Sequence, residues 1–232
     1  IHNRPLRLIF LEGTMKHFEK EFESIRQNII TMGSEVEKQL SMVIDSLING
    51  NEENAEKVIA NDERIDAMEI DNDNFSITLF AKFQPTAFDL RFIASVIKIN
   101  NDFERIGDQA VNIAKKALYI LPRPELHINI TPMALLAKEM VHLSVDSLIR
   151  DDTGFAEKIL AKEKEMDEYQ IEYTQQIVHI MKEDPKNIKR ALNVLLMIRC
   201  FERIGDLATN VAEDIIYYVK AKDIRHSGGL KE

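Results

Sequence analysis

The sequence predicts an all-α fold made by tandem duplication of a three-helix bundle, with six long helices in all. The 232-residue chain holds only eight glycines and six prolines, which is little turn material for a many-stranded sheet. Apolar residues recur every three or four positions over long segments, the periodicity of an amphipathic helix. The hexapeptide Phe-Glu-Arg-Ile-Gly-Asp occurs twice, at Phe103–Asp108 and Phe201–Asp206, which are 98 residues apart.

The first half contains three predicted helices. The first follows an apolar seam over 18–47 and stops before Gly50, a residue typical of helix C-termini. The second runs roughly over 52–83 and is ended by Pro85, and the third keeps its apolar seam over 92–120. Because the connections between these helices are short, neighbouring helices should run antiparallel.

The second half repeats the first. Asp-Ser-Leu-Ile at 45–48 returns at 146–149, a spacing of 101 that falls to 98 by the hexapeptide. Thr131 before Pro132 marks the start of the fourth helix, and the proline-containing stretch before it is the natural boundary. The predicted organisation is a disordered or vector-derived leader (1–14), a first repeat (15–122), a linker (123–130), a second repeat (131–224) and a flexible tail (225–232).

Composition narrows the classes of function. The formal net charge of -9 argues against binding of nucleic acid or anionic lipid through bulk electrostatics. No apolar run approaches the ~20 residues of a membrane span, so we expect no membrane insertion. Cys200 is the only cysteine, which excludes a disulfide framework and fits a reducing compartment.

Acidic pairs with a spacing of four residues occur on two helices of each half. Like charges at this spacing repel on a helix surface, and the glycine inside each hexapeptide costs about 1 kcal/mol relative to alanine. The heptad pattern places these acids on outward faces, so four carboxylates meet in each half if the two helices are adjacent. The pairs are Asp62 with Asp66 and Glu104 with Asp108, then Glu163 with Asp167 and Glu202 with Asp206.

Four converging carboxylates predict a metal site. Carboxylates are hard oxygen donors that suit Mg²⁺, Mn²⁺, Ca²⁺ or iron better than structural zinc, and their number allows a multinuclear cluster. Arg105 and Arg203 are candidates for holding a carboxylate or a bound anion, and Asn112 and Asn210 extend the stripe by a turn. Without metal, we expect some of the carboxylates to titrate at raised pH.

Other interpretations remain open. Acidic pairs are common on solvated helix faces, and Gly107 and Gly205 can serve close helix packing as well as access to a cluster. The chain can be a metal-free helical adaptor that attracts a basic partner. A carboxylate-bridged metalloenzyme is the third alternative, although di-iron bundle enzymes use a Glu-x-x-His element on each of two helices, and this sequence holds no such pair.

The doubled Glu-Arg-Ile-Gly-Asp element in a duplicated three-helix chain resembles the PhoU family of bacterial phosphate regulators. The stretches 84–91 and 206–213 are similar to family sequence too, and the resemblance covers Met15 to about Asp223. It implies the PhoU variant of the spectrin-like bundle, with multinuclear iron or zinc clusters held by paired acidic motifs on the bundle surface. All eight matching positions hold a carboxylate, and this all-oxygen set favours iron, with zinc, manganese and magnesium as alternatives.

The resemblance also implies regulation rather than catalysis. PhoU-like proteins act at the cytoplasmic face of the membrane, between the ATPase of a phosphate ABC transporter and a sensor histidine kinase. There they restrain phosphate-starvation signalling and so affect transcription indirectly. Inorganic phosphate is a further expected ligand. Tyr217 and Tyr218 near the end of the last helix, read as exposed, suggest a homodimer.

Overall fold

The structure is a computed structural model that describes residues 6–121 and 128–225, with side chains described from Lys16 onward. Helices account for nearly all of these residues, and no strand occurs among them. The helices are α1 (Leu6–Asn49), α2 (Glu52–Ala60), α3 (Asp62–Phe83), α4 (Ala87–Ile120), α5 (Thr131–Arg150), α6 (Thr153–Glu183) and α7 (Ile188–Lys220), with a 3₁₀ turn over Pro185–Asn187.

The predicted duplicated all-α architecture is confirmed, with one added break. The second predicted helix is divided at Asn61 into α2 and α3. The backbone N–H of Asn61 donates to the carbonyls of Lys57 and Val58 at 3.1 and 3.2 Å, which closes α2 before α3 begins. Val58 and Ile65 are buried on either side of the break, so the apolar face continues through it.

The N-terminal expectation needs correction. Helix α1 begins at Leu6, inside the segment 1–14 that the sequence predicts to be an unstructured leader. Residues 1–5, part of the linker (122–127) and the tail from residue 226 lie outside the described residues. Within the described part of the linker, Ile128–Ile130 are not helical.

Helices α4 and α7 form the centre of the molecule. They run antiparallel, since Lys98 near the start of α4 meets Asp214 near the end of α7, with Nζ and Oδ1 2.9 Å apart. At the other end, Arg190 near the start of α7 donates to the carbonyl of Ile120 at 3.5 Å. Helix α3 packs against α4 and helix α6 against α7, while α1 contacts both α4 and α5. One hydrophobic core runs through both repeats.

Crossing a membrane would need a longer apolar stretch than any helix in the described ranges provides.

A polar cluster with aromatic neighbours joins the two repeats at one end of the molecule. Arg26 of α1 donates through Nη2 to Oδ2 of Asp151, just after α5, at 2.6 Å. The Tyr218 hydroxyl on α7 donates to the other carboxylate oxygen of Asp151 at 2.8 Å. The Tyr218 ring meets Phe92 edge to face, with centroids 5.1 Å apart, and the Arg26 guanidinium lies 5.6 Å from the Phe92 centroid.

This arrangement corrects the expectation that Tyr218 is exposed. Its side chain is 0% exposed and its hydroxyl is satisfied within the chain. Tyr218 therefore belongs to the contact between the repeats and cannot contribute to a dimer surface. Tyr217 is half-buried, and homodimer formation stays a prediction.

Replacing Tyr218 with Phe should lower the free energy of unfolding by about 1–3 kcal/mol, because a buried hydrogen bond to a charged group is lost. The ring contacts remain, so α-helical circular dichroism should be unchanged. Urea denaturation measures the effect, and Tyr217→Phe is the matched control. Equal stability of Tyr218→Phe and wild type would show that the hydroxyl of Tyr218 contributes nothing to the inter-repeat contact.

Candidate functional site

Two glycines lie where the helices that carry the acids meet. A Cβ atom added at Gly107 on α4 would lie 3.4 Å from Cγ2 of Ile65 on α3. A Cβ atom at Gly205 on α7 would lie 3.0 Å from Cγ of Met166 on α6. Ile65 and Met166 are both buried, and each is followed directly by an aspartate of the predicted site. Gly205 thus permits the close approach of α6 and α7, whereas α3 and α4 approach to a distance at which a Cβ atom at position 107 would still fit. Each approach brings two acidic pairs together.

The first acidic cluster consists of Asp62, Asp66 and Glu69 on α3 with Glu104 and Asp108 on α4. Burial raises the pKa of Glu104 to about 7, with repulsion from Asp108, Glu69 and Asp66 adding to the effect. Burial, then repulsion from Asp66 and Asp108, also raises the pKa of Asp62. These mutual effects show that the four carboxylates predicted from the first repeat do lie near one another.

The second acidic cluster consists of Glu163 and Asp167 on α6 with Glu202 and Asp206 on α7. Partial desolvation is the largest cause that raises the pKa of Glu163, followed by repulsion from Asp167 and Asp206. The pKa of Glu202 is raised by burial and then by Asp206 and Asp167. The pKa of Asp206 is raised mainly by burial, although the neighbouring Arg203 opposes the rise. Each cluster therefore contains carboxyl groups whose pKa is raised, chiefly by burial and in addition by repulsion from neighbouring carboxylates.

The arginines and asparagines predicted to lie beside the acids differ in what they contact. Arg203 contacts the second acidic cluster, with its Nη1 3.3 Å from Oδ2 of Asp206. Arg105 instead pairs with Asp102, with Nη1 and Oδ1 3.6 Å apart. Asn210 also donates a hydrogen bond to Asp102, and the backbone carbonyl of Asn112 accepts one from Lys116 at 3.2 Å.

Sequence reasoning missed Glu69 and two buried aspartates. Glu69 follows Asp66 by three residues, so helical spacing was the available signal. Asp102 and Asp214 are only 7% and 5% exposed and line a central cleft of about 820 Å³ between α4 and α7. Burial raises the pKa of Asp102 to about 6. Asp102 precedes the core residue Phe103, and its counterpart in the second repeat is Cys200 rather than an acid. The duplication therefore gave no signal for Asp102.

The central cleft connects with the second acidic cluster. Glu163 and Asp206 line both, together with cationic Lys98 and Arg225 on the cleft wall. Lys98 neutralises Asp214 directly. The outward face formed by α3, α4, α7 and α6 is therefore acidic over a broad area rather than at two isolated points.

The donor chemistry of the clusters suits a hard cation, because every side chain in them is a carboxylate. In their present positions, no three Asp, Glu, His or Cys side chains among residues 16–121 and 128–225 are arranged to share one metal ion. Asp66 and Asp108, like Glu163 and Asp167, are exposed, so rotamer changes can bring their oxygens together without disturbing the core. The residues fit a cation, and its binding stays a prediction.

Comparison with known proteins identifies the family. The family model of the PhoU domain matches residues 29–117 and 130–215, one match in each repeat. The chain belongs to the PhoU family. The resemblance inferred from the doubled hexapeptide is thereby confirmed.

Several PhoU relatives match nearly the whole chain. The phosphate-specific transport system accessory protein PhoU homolog of Aquifex aeolicus is 39% identical over 214 residues, which cover 91% of this chain and 96% of that protein. The accessory protein PhoU of Escherichia coli K12 is 36% identical over 214 residues, covering 91% of this chain and 89% of the relative.

Solved PhoU structures share the fold. The crystal structure of PhoU from Pseudomonas aeruginosa superposes with a TM-score of 0.85 at 33% identity, over 88% of this chain and all of that one. The regulatory protein PhoU from Streptococcus pneumoniae, at 24% identity and a TM-score of 0.82, shows the same fold over 89% of this chain and 98% of its own.

The two glycines should respond differently to alanine. Gly107→Ala should raise the free energy of unfolding by about 0.5–1 kcal/mol, because alanine favours the helix and the added Cβ meets Ile65 at ordinary contact distance. Gly205→Ala should give a smaller gain or a loss, since Met166 has to shift. Urea denaturation compares the two variants. A larger gain at Gly205 than at Gly107 would contradict this account of the helix contacts.

The stability of the metal-free protein should fall as pH rises from about 4.5 to 7. The folded state binds more protons than the unfolded chain in this range, because the pKa of Glu104 is raised from 4.5 to about 7. Urea denaturation in chelator at several pH values measures the slope. Glu104→Gln should flatten it, whereas Glu19→Gln, an exposed control outside both clusters, should leave it unchanged. An identical slope in Glu104→Gln and wild type would refute the assignment.

Proposed function

We propose that this chain is an accessory protein of a phosphate transport system whose two acidic clusters bind metal cations and form a docking surface for partners. One observation carries the proposal. In each repeat, the four carboxylates that the sequence predicts as a metal site lie close together, and they do so on equivalent pairs of helices. The PhoU relatives are named as accessory proteins of a phosphate-specific transport system, which supports the assignment to phosphate transport.

The metal that we propose is iron, with zinc, manganese and magnesium as alternatives. In the first acidic cluster Asp62, Asp66, Glu104 and Asp108 would hold it. In the second, Glu163, Asp167, Glu202 and Asp206 would do so, with Arg203 fixing Asp206 from the side. A bound cation offers positive charge and open coordination positions to an anionic oxygen, whether from inorganic phosphate or from a partner's acidic or phosphorylated side chain.

The proposed partners are the ATPase of a phosphate ABC transporter and a membrane sensor histidine kinase, reached at the cytoplasmic face of the membrane. The chain would act as a negative regulator between them and would affect transcription only indirectly. We expect no catalytic turnover, because the gathered carboxylates face outward on the bundle and are exposed or half-buried.

A metal-free adaptor is the second candidate. It is favoured by the net charge of -9 and by the absence, among the side chains described, of three ligands already placed around one point. In that case the acidic face would attract a basic partner directly. Elemental analysis after gentle purification separates the two candidates, since the adaptor would hold less than one metal per chain and take up none on reconstitution.

Asp108→Ala combined with Asp206→Ala should strip metal from both clusters and abolish binding to the transporter ATPase, because each cluster loses a central carboxylate. Helicity should be unchanged, since Asp108 is exposed and Asp206 is half-buried on the bundle surface. Elemental analysis, circular dichroism and a binding assay with purified ATPase measure the three quantities.

The matched control is Asp71→Ala with Glu165→Ala, which removes two exposed carboxylates from α3 and α6 outside the clusters. It should keep both metal and partner. Full partner binding by the Asp108 and Asp206 double variant would eliminate the docking role of the clusters, whatever its metal content.

A further inference from the structure

Exposed apolar side chains recur at equivalent positions of the two repeats. Ile70 and Ile77 on α3 correspond to Ile171 and Val178 on α6 at the repeat spacing of 101. Leu90 on α4 corresponds to Ile188 on α7 at the spacing of 98. These six side chains are between 41% and 61% exposed. Isolated exposed apolar residues are normal, but the same positions left bare in both repeats indicate a shared surface.

These residues share helix faces with the acids. Ile171 lies four residues after Asp167, and Val178 lies eleven residues after Asp167, so all three side chains are on one stripe of α6. On α7 the exposed Leu192 and Leu196 continue the stripe of Ile188, and the same stripe leads through Arg199 and Arg203 to Asp206. The acids and the apolar residues therefore lie on one outward surface, on which the four carboxylates of the second acidic cluster outnumber these two arginines.

Helices α6 and α7 bring the two apolar stripes side by side. They run antiparallel, and the contact between Met166 and Gly205 sets their register. Helical geometry then places Val178 at the level of Leu192, and Ile171 about one turn from Leu196 along α7. We call this surface the apolar groove; it consists of Ile171, Val178, Ile188, Leu192 and Leu196.

The described end of the linker, residues 128–130, does not cover the apolar groove. Ile128 and Ile130 instead line a separate cavity of about 350 Å³ with Val194 and Met197, which lie on another side of α7. The five side chains of the groove are exposed with the described chain in place.

We propose that the apolar groove binds an amphipathic helix of a partner protein, whose basic end lies over the second acidic cluster. From Ile188 to Leu196 the groove extends about 12 Å, which matches two turns of a helix that presents apolar residues at i, i+3, i+4 and i+7. The four adjacent carboxylates complement Lys or Arg on the next turn. The inference deepens the proposed docking function but does not depend on metal binding.

Charge favours a partner helix over the two other occupants. A second copy of this chain would carry its own net charge of -9 and set acidic faces against each other. An anionic membrane would be repelled by the second acidic cluster, which directly continues the groove. A helix with separate apolar and basic ends meets both parts of the surface.

The probe for the test is a fluorescent 18-residue synthetic helix with leucines at i, i+3, i+4 and i+7 and lysines at one end. Its binding to the full metal-free chain in chelator is measured by fluorescence anisotropy. Leu192→Ser with Leu196→Ser should weaken binding at least tenfold, as should Ile171→Ser with Val178→Ser. Leu135→Ser, which alters an exposed apolar residue on α5, is the matched control and should have no effect. Circular dichroism confirms that each variant is folded.

A second peptide with glutamates in place of the lysines tests the polarity of the site. Glu202→Gln should weaken binding of the lysine peptide but not of the glutamate peptide.

Equal binding of the lysine peptide to the wild type and to both groove variants would overturn the proposal. So would a dimer in sedimentation that the groove variants convert to monomer, or binding to phosphatidylglycerol vesicles that those variants abolish. Asp108→Ala alone removes a carboxylate from the first acidic cluster only. Loss of metal from that cluster with unchanged peptide binding would separate this inference from the metal proposal.

Discussion

The close packing of a helix pair is the contact on which each acidic cluster depends, and a glycine lies at the point of contact in both pairs. At Gly107 and Gly205 the neighbouring helix presents a buried side chain, Ile65 or Met166, directly to the glycine backbone. A glycine in a helix costs about 1 kcal/mol, whereas fully burying one such apolar side chain contributes about 1.5–3 kcal/mol. The burial of Ile65 or Met166 therefore offsets the free-energy cost of the glycine. It also places the aspartate that follows each buried residue close to the carboxylates of the facing helix.

The two repeats use the same backbone plan for different surfaces. Because α4 and α7 are antiparallel, equivalent contacts recur at both ends of their interface. At one end Lys98 pairs with Asp214 inside the central cleft. The equivalent positions at the other end hold Leu196 and Lys116, so an apolar side chain replaces the cation of the ion pair. The end with Lys98 and Asp214 therefore has an ion pair, whereas Leu196 and Lys116 at the other end cannot form one with each other.

The periodicity of the sequence was enough to predict the helices and which acids lie together. The helices and the grouping of the acids both follow from the spacing of residues along the chain, and the internal repeat shows the same spacing in each half. Asp102 and Tyr218 were missed or misread for a shared reason, since both lie between the repeats, where burial depends on the α4–α7 contact. The break at Asn61 was missed because the apolar face continues across it. Glu69 was missed because its counterpart in the second repeat is not an acid.

Gathering carboxylates has an energetic consequence for binding. The raised pKa values of Glu104, Glu163 and Glu202 mean that the folded, unliganded chain holds charges in less favourable surroundings than the unfolded chain does. A cation or a basic side chain that binds only the folded state removes part of that repulsion, and it stabilises the fold by an amount that rises with its affinity and its concentration. Residues that weaken the free protein thus strengthen its complexes. With the proposed ligands bound, the repulsion within the acidic clusters would no longer count against the stability of the bundle.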